Sequence, residues 1–146
     1  GLHDIVNTIL DWAEKNGSHE IVILDGVASK THDGKAFCAA EEDLCRVMES
    51  NDIDMIPQGF ITGVAGGLLN ECLMRPIQGI TLLVKANDKG ADPLAAATLL
   101  DAVNRAYGLN INTSDLRKKK KRIGEDFREL SDKYTEHRKI DSNMYM

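Results

Sequence analysis

The sequence is short of several things at once, and each shortage excludes a class of protein. Its three cysteines, Cys38, Cys45 and Cys72, are odd in number and widely spaced. They do not form a disulfide framework and fit reduced thiols of the cytoplasm. No apolar run approaches the roughly 20 residues of a membrane-spanning helix, and the first residues show no basic stretch followed by an apolar one. Positive charge does not dominate. The net charge is −5, which argues against a general nucleic-acid binder, whose footprint is basic. His-x-x-x-His and Cys-x-x-Cys spacings are absent, so no zinc site is expected. The nucleophile elbow of serine hydrolases is missing too. Aromatic residues amount to 5%. What is there is ordinary for a single globular domain: 146 residues, 42% hydrophobic and 28% charged. The chain starts at Gly1, with Leu2 already in an amphipathic pattern, and a segment before it is expected to be missing.

The stretch "GFITGVAGGLLNECLMRP" (59–76) is where chemistry first suggests itself. Glycines let a backbone approach a phosphate, and a helix N-terminus offers free N–H groups. Yet the phosphate loop needs Gly, four residues, then Gly-Lys-Ser/Thr, and the dinucleotide fingerprint needs Gly-x-Gly-x-x-Gly. Neither is present. Read as a helix over 63–75, the stretch puts Gly63, Gly66, Gly67 and Asn70 on one face. That face serves either close packing against a neighbouring element or a ligand. The ligand alternative is a small-molecule or phosphate-binding enzyme whose site gathers Asp25, Gly63, Gly66 and Asn70. It has no convincing general base within any motif.

Elsewhere the pattern alternates. Leu2, Ile5, Val6, Ile9, Leu10 and Ala13 recur at helical spacing, with Gly17 as a stop, which predicts a helix over 2–16 with one buried face. "EIVILDG" (20–26) predicts a buried strand ended by Asp25-Gly26. A weaker strand follows within 31–40, then a short helix over 40–50 with Leu44, Val47 and Met48 inward. The chain is expected to be extended around Met55–Ile61. "GITLLVKA" (79–86) is the clearest strand. Asp92 and Pro93 open a helix that Gly108 closes, with Ala96, Leu99, Leu100, Val103 and Tyr107 on one face. This order predicts an α/β fold, a layered sheet with flanking helices.

From Thr113 the character changes, so the chain divides into a core (1–112), a charged amphipathic helix (113–138) and a flexible tail (139–146). Leu116, Ile123, Phe127, Leu130 and Tyr134 step by seven, four, three and four along one narrow helical face, with Lys120 at a stripe position and Gly124 weakening the middle. Such a helix packs on the domain or on a neighbouring subunit. The basic run 117–122 reads as a solvated face, as a contact for an acidic protein surface, or as a phosphate binder. The final Met144, Tyr145 and Met146 combine an apolar residue, a tyrosine and a carboxylate. They are either a compact docking handle or an unstructured end.

The pieces "GFITGVAGGLLNE" (59–71), "GITLLVKA" (79–86) and "DPLAAATLLDAVNRAYGLNINTSDL" (92–116) together resemble the proteasome assembly chaperone family, the prokaryotic relatives of the second eukaryotic assembly chaperone. A weaker match extends back to about Glu20. The resemblance implies a nucleoside-phosphorylase-like α/β fold used for protein binding instead of catalysis, with no cofactor, and self-assembly into a homo-oligomer. It implies proteasome α subunits as partners. Proteasome activators and some archaeal assembly chaperones end in hydrophobic–Tyr–any residue, a pattern that Met144, Tyr145 and Met146 match. The helix bearing Leu116, Ile123, Phe127, Leu130 and Tyr134 would then present that tail.

Overall fold

The computed structural model describes residues 1–57 and 61–144. Nine elements follow one another: α1 (Leu2–Lys15), β1 (Glu20–Ala28), β2 (Ala36–Ala39), α2 (Glu42–Glu49), β3 (Asp54–Met55), α3 (Gly63–Cys72), β4 (Gln78–Ala86), α4 (Pro93–Tyr107) and α5 (Ser114–Met144). The four strands form one sheet in the order β1-β4-β2-β3. β4 runs parallel to β1 and antiparallel to β2, and β2 runs parallel to β3. The expected α/β layering is therefore present.

β4 is central, and its continuous apolar run follows from that position. Side chains alternate across a strand. Ile80, Leu82 and Val84 join Cys38, Cys45, Met48, Leu99 and Val103 in the core on the α2/α4 face. On the other face, α1 and α3 enclose a smaller core of Val6, Leu10, Ala65, Leu68 and Cys72 with Ile23 and Ile77. β1 is apolar too, but among the described residues it pairs with β4 alone. Only Ile23 is buried in it, and Leu24 and Val27 are exposed. The expectation of a buried strand is corrected here: composition does not distinguish a central strand from an edge. Nor does Asp25-Gly26 end it. β1 continues to Ala28, with Gly26 in register with Val84, and a Cβ on Gly26 would sit 3.1 Å from that of Ala86.

Helical faces needed similar corrections. In α1, Val6, Leu10 and Ala13 are buried, whereas Leu2, Ile5, Ile9 and Trp12 are exposed. The apolar arc is wider than α3 and the sheet cover. In α2, Cys45 and Met48 face inward and Val47 is exposed, because Cys45 and Met48 are three apart and Val47 falls on another side. In α4 the buried side chains are Ala95, Ala97, Thr98, Leu99, Ala102 and Val103, so Ala96 and Leu100 flank the packed face instead of forming it.

α3 is built on close contacts. Gly63, its first residue, has φ +65, and a Cβ on Gly66 would lie 2.2 Å from the carbonyl oxygen of Ile61. A Cβ on Gly67 would come within 2.8 Å of Val6 Cγ2 on α1. The helix ends at Cys72, short of the expected 75. Arg75 then reaches back to α1: Nη1 meets Asp11 at 2.6 Å, Nη2 donates to Asn7 Oδ1 at 2.7 Å, and Nε meets Glu71 at 3.4 Å.

Two outcomes follow. Gly66→Ala should destabilise the fold by about 3 kcal/mol, since backbone must move. Gly67→Ala should cost about 1 kcal/mol, since Val6 can shift its side chain; urea denaturation of both variants measures this. Burial, aided by the 3.4 Å contact with Cys45 Sγ, pushes the Cys38 thiol up to about 12, and burial also raises Cys72. A thiol reagent at neutral pH should leave Cys38, Cys45 and Cys72 unmodified in the folded protein and label all three in urea.

Candidate interaction site at the carboxyl-terminal helix

α4 sets the base of the site. Asp92 caps it: Oδ1 accepts the Ala95 N–H at 3.0 Å and Oδ2 the Asn87 N–H at 3.0 Å. One carboxylate thereby closes the loop after β4 and starts the helix. Partial burial raises the pKa of Asp92. The two backbone donors, with the nearby His32 and Lys120 side chains, outweigh that and leave it lowered. At the other end, Gly108 adopts φ 61 and stops α4. Asn104 then holds the connection to α5 twice, accepting the Ile111 N–H and donating to the Ile111 carbonyl, each at 2.9 Å. Asp101 accepts from Thr113 Oγ1 at 2.9 Å and pairs with Arg117. These contacts fix the direction in which α5 leaves the domain. Sequence reasoning identified Asp92 from its cap position. It missed Asp101 and Asn104, which have no local signal because their partners lie several residues ahead, in the connecting loop and at the start of α5.

α5 extends through 31 residues, about 46 Å at about 1.5 Å per residue. None of its side chains is buried. Leu116 is half-buried at the base, whereas Ile123, Phe127, Leu130 and Tyr134 are 56–73% exposed. The helix runs past the expected boundary at 138 to Met144, because residues 139–144 contain no glycine or proline to break it. Met144 is 77% exposed; Tyr145 and Met146 lie outside the described residues. Between the base of α5 and the loop before α4 runs a groove of about 280 Å³, lined by His32, Asn87, Pro93, Lys120, Ile123 and Gly124. His32 Nδ1 accepts the Gly34 N–H at 2.9 Å, so the proton of the neutral ring sits on Nε2. That nitrogen is buried and has no partner among the described residues.

The residues of the alternative grouping, Asp25, Gly63, Gly66 and Asn70, have separate surroundings. Asp25 lies within β1, and its Oδ1 accepts the N–H of Gly26 at 2.8 Å. Gly66 is engaged with Ile61. Asn70 is exposed and off the packed face, which is formed by Ala65, Leu68 and Cys72. Glu71 is partly buried and is held by Arg75. Gly59 lies outside the described residues. Among the described residues, no cluster of three His, Cys, Asp or Glu could hold a metal ion, and no helix is long and apolar enough to cross a membrane.

The lowered pKa of Asp92 sets the sign of a pH effect. Its contribution to stability is present above the ordinary aspartate value of 3.8 and is lost as pH falls through the lower folded value. Asp92→Asn keeps a capping side chain without that titration. The variant should therefore lose less stability than the parent between about pH 5 and pH 2, measured by urea denaturation across that range.

With this geometry in place, comparison with known proteins is informative. The model of the PAC2 family matches residues 2–131. An uncharacterized protein of Methanocaldococcus jannaschii, MJ0106, is 25% identical over 133 residues, 88% of this chain and 56% of that protein. Pyrococcus furiosus PbaA, an archaeal homolog of proteasome-assembly chaperone, shares the fold with a TM-score of 0.87 at 24% identity, over 99% of this chain and 62% of its own. Pyrococcus furiosus PbaB, an archaeal proteasome activator, gives 0.79 at 27% identity, over 90% of this chain and 58% of its own. The chain thus spans 56–62% of the length of these relatives. The match over nearly the whole of the sheet, α4 and the first half of α5 agrees with the resemblance carried by residues 59–116: this chain belongs to the PAC2 family.

Proposed function

We propose that this protein is a proteasome assembly chaperone-like protein that binds proteasome α subunits, as a homo-oligomer, through Met144, Tyr145 and Met146. The observation that carries the reading is a coincidence of two independent features. One is a fold shared with a proteasome-assembly chaperone homolog and a proteasome activator. The other is a hydrophobic–Tyr–any-residue sequence following a long helix whose side chains the domain leaves uncovered. In this reading Met144 supplies apolar contact, Tyr145 a ring and a hydroxyl, and Met146 a carboxylate for a basic side chain in the receiving pocket. α5 holds that handle away from the domain. A single handle of three residues binds weakly, and several on one oligomer gain avidity. No catalytic group is required.

Met144 is exposed, and deleting Met144–Met146 should leave folding unchanged. A pull-down of proteasome α subunits should succeed with the intact chain and fail with the deletion. Capture of α subunits by the deleted protein at undiminished yield would reject the tail as the binding element.

A further inference from the structure

Charge is divided unevenly along this chain. Residues 1–113 carry 8 Lys and Arg against 16 Asp and Glu, whereas α5 carries 10 against 7. Within α5 the division is by face. Residues at i, i+4, i+7 and i+11 fall in line along a helix. Continued from Arg117, that row runs through Lys121, Arg128 and Lys139, with Gly124, Ser131, Thr135 and Ser142 between them, and Lys120 and Arg138 border it. Every carboxylate of α5 lies off the row. The basic run 117–122 turns around the whole helix and selects no face; the row does, and it continues to the tip. Arg117 pairs with Asp101, and Lys121 lies 4.0 Å from Glu125. Among the described residues, Lys120, Arg128, Arg138 and Lys139 have no carboxylate within 4.0 Å. Two open depressions lie along the row. One of about 370 Å³ surrounds Gly124 between Lys121 and Arg128, and one of about 620 Å³ is lined by Thr135, Arg138, Lys139 and Ser142. We propose that this row docks an acidic α-helix of another protein.

Charge complementarity and spacing select that occupant. Carboxylates at i, i+4, i+7 and i+11 of a helix laid alongside recur at the intervals that set this row, about 6.0 and 4.5 Å. Arg128 and Arg138 can each hold a carboxylate through two parallel N–H bonds. The hydroxyls of Ser131, Thr135 and Ser142 are further donors to carboxylate oxygens. Each exposed pair contributes little by itself, so several in line are needed, and the contact is screened by salt. A nucleic acid fits less well. A long polyanion that follows the arm to its base meets a domain with twice as many carboxylates as cations. The row also contains no aromatic side chain on which a base could stack. The row ends at Ser142, so it stands apart from Met144–Met146.

The whole chain is used for the test, with a labelled alanine-based peptide of about 25 residues that carries glutamates along one helical face. A second peptide has the same composition with the glutamates spread around the helix. Fluorescence anisotropy should show binding of the first peptide, weaker binding of the second, and at least a tenfold loss between about 50 mM and about 300 mM salt. Arg128→Glu combined with Lys139→Glu should weaken binding roughly tenfold. Lys119→Glu combined with Lys133→Glu changes the net charge equally on other faces of α5 and should leave affinity within about twofold. All four side chains are exposed, so circular dichroism should show both double variants folded like the parent. Arg128→Lys combined with Lys139→Arg should retain binding. Equal losses in the two charge-reversed variants, or equal affinity for the two peptides, would overturn the row as the binding element. Tighter binding of a short duplex DNA than of the first peptide would overturn the acidic helix as occupant. Absence of peptide binding, with a particle mass that falls to the monomer's in the Arg128→Glu, Lys139→Glu variant, would assign the row to a second copy instead. The chain lacking Met144–Met146 should bind the peptide as the intact chain does, so failure of the tail reading and failure of the row appear in different measurements.

Discussion

A helix with no buried side chain has no packing energy to orient it, and the function argued for α5 depends on orientation. The constraint that resolves this is at its base. Asn104 and Asp101, both on α4, hold Ile111, Thr113 and Arg117, so the direction of α5 is inherited from α4. α4 is in turn fixed by burial of Ala95, Leu99, Ala102 and Val103 against β4 and β2. A chain of contacts therefore runs from the most buried strand to the base of an exposed helix about 46 Å long. The rest of the molecule, including the closely packed α1 and α3, supports the sheet from its other face.

Much of this was legible in the residues. β4 announced itself because a strand covered on both faces needs a near-continuous apolar run, here Ile80 and Leu82 to Val84 with Thr81 between them. α4 was framed by Asp92, Pro93 and Gly108, each acting through local backbone chemistry. What was illegible depended on neighbours. "EIVILDG" has the composition of a central strand, and nothing in it says that β1 has a partner on one side only. The wide apolar arc of α1 likewise shows how much surface is available for burial and not how much is buried. Whether Val47 or Cys45 faces inward turns on one residue of helical phase.

The candidate sites divide in the same way. Gly66 and Gly67 were recognisable as a request for close approach, but the partners, the Ile61 carbonyl and Val6, lie in a loop and another helix. Asn70, expected on the packed face, is exposed, and Glu71 is held instead, because Arg75, beyond the end of α3, bends back to Glu71 and α1. The spacing of the α5 stripe could not say whether the domain covers it; Phe127, Leu130 and Tyr134 are exposed, so the domain does not. Met144 is the last residue of a continuous helix, whereas a flexible segment had been expected from 139 onward.

The central claim is that this PAC2-family chain works by presenting its carboxyl-terminal arm, in more than one copy, to proteasome α subunits. Native mass spectrometry of the protein mixed with α subunits tests it most directly. The account predicts complexes that contain at least two copies of this chain together with α subunits. Spectra that show only the separate components, or α subunits bound to single copies, would contradict it.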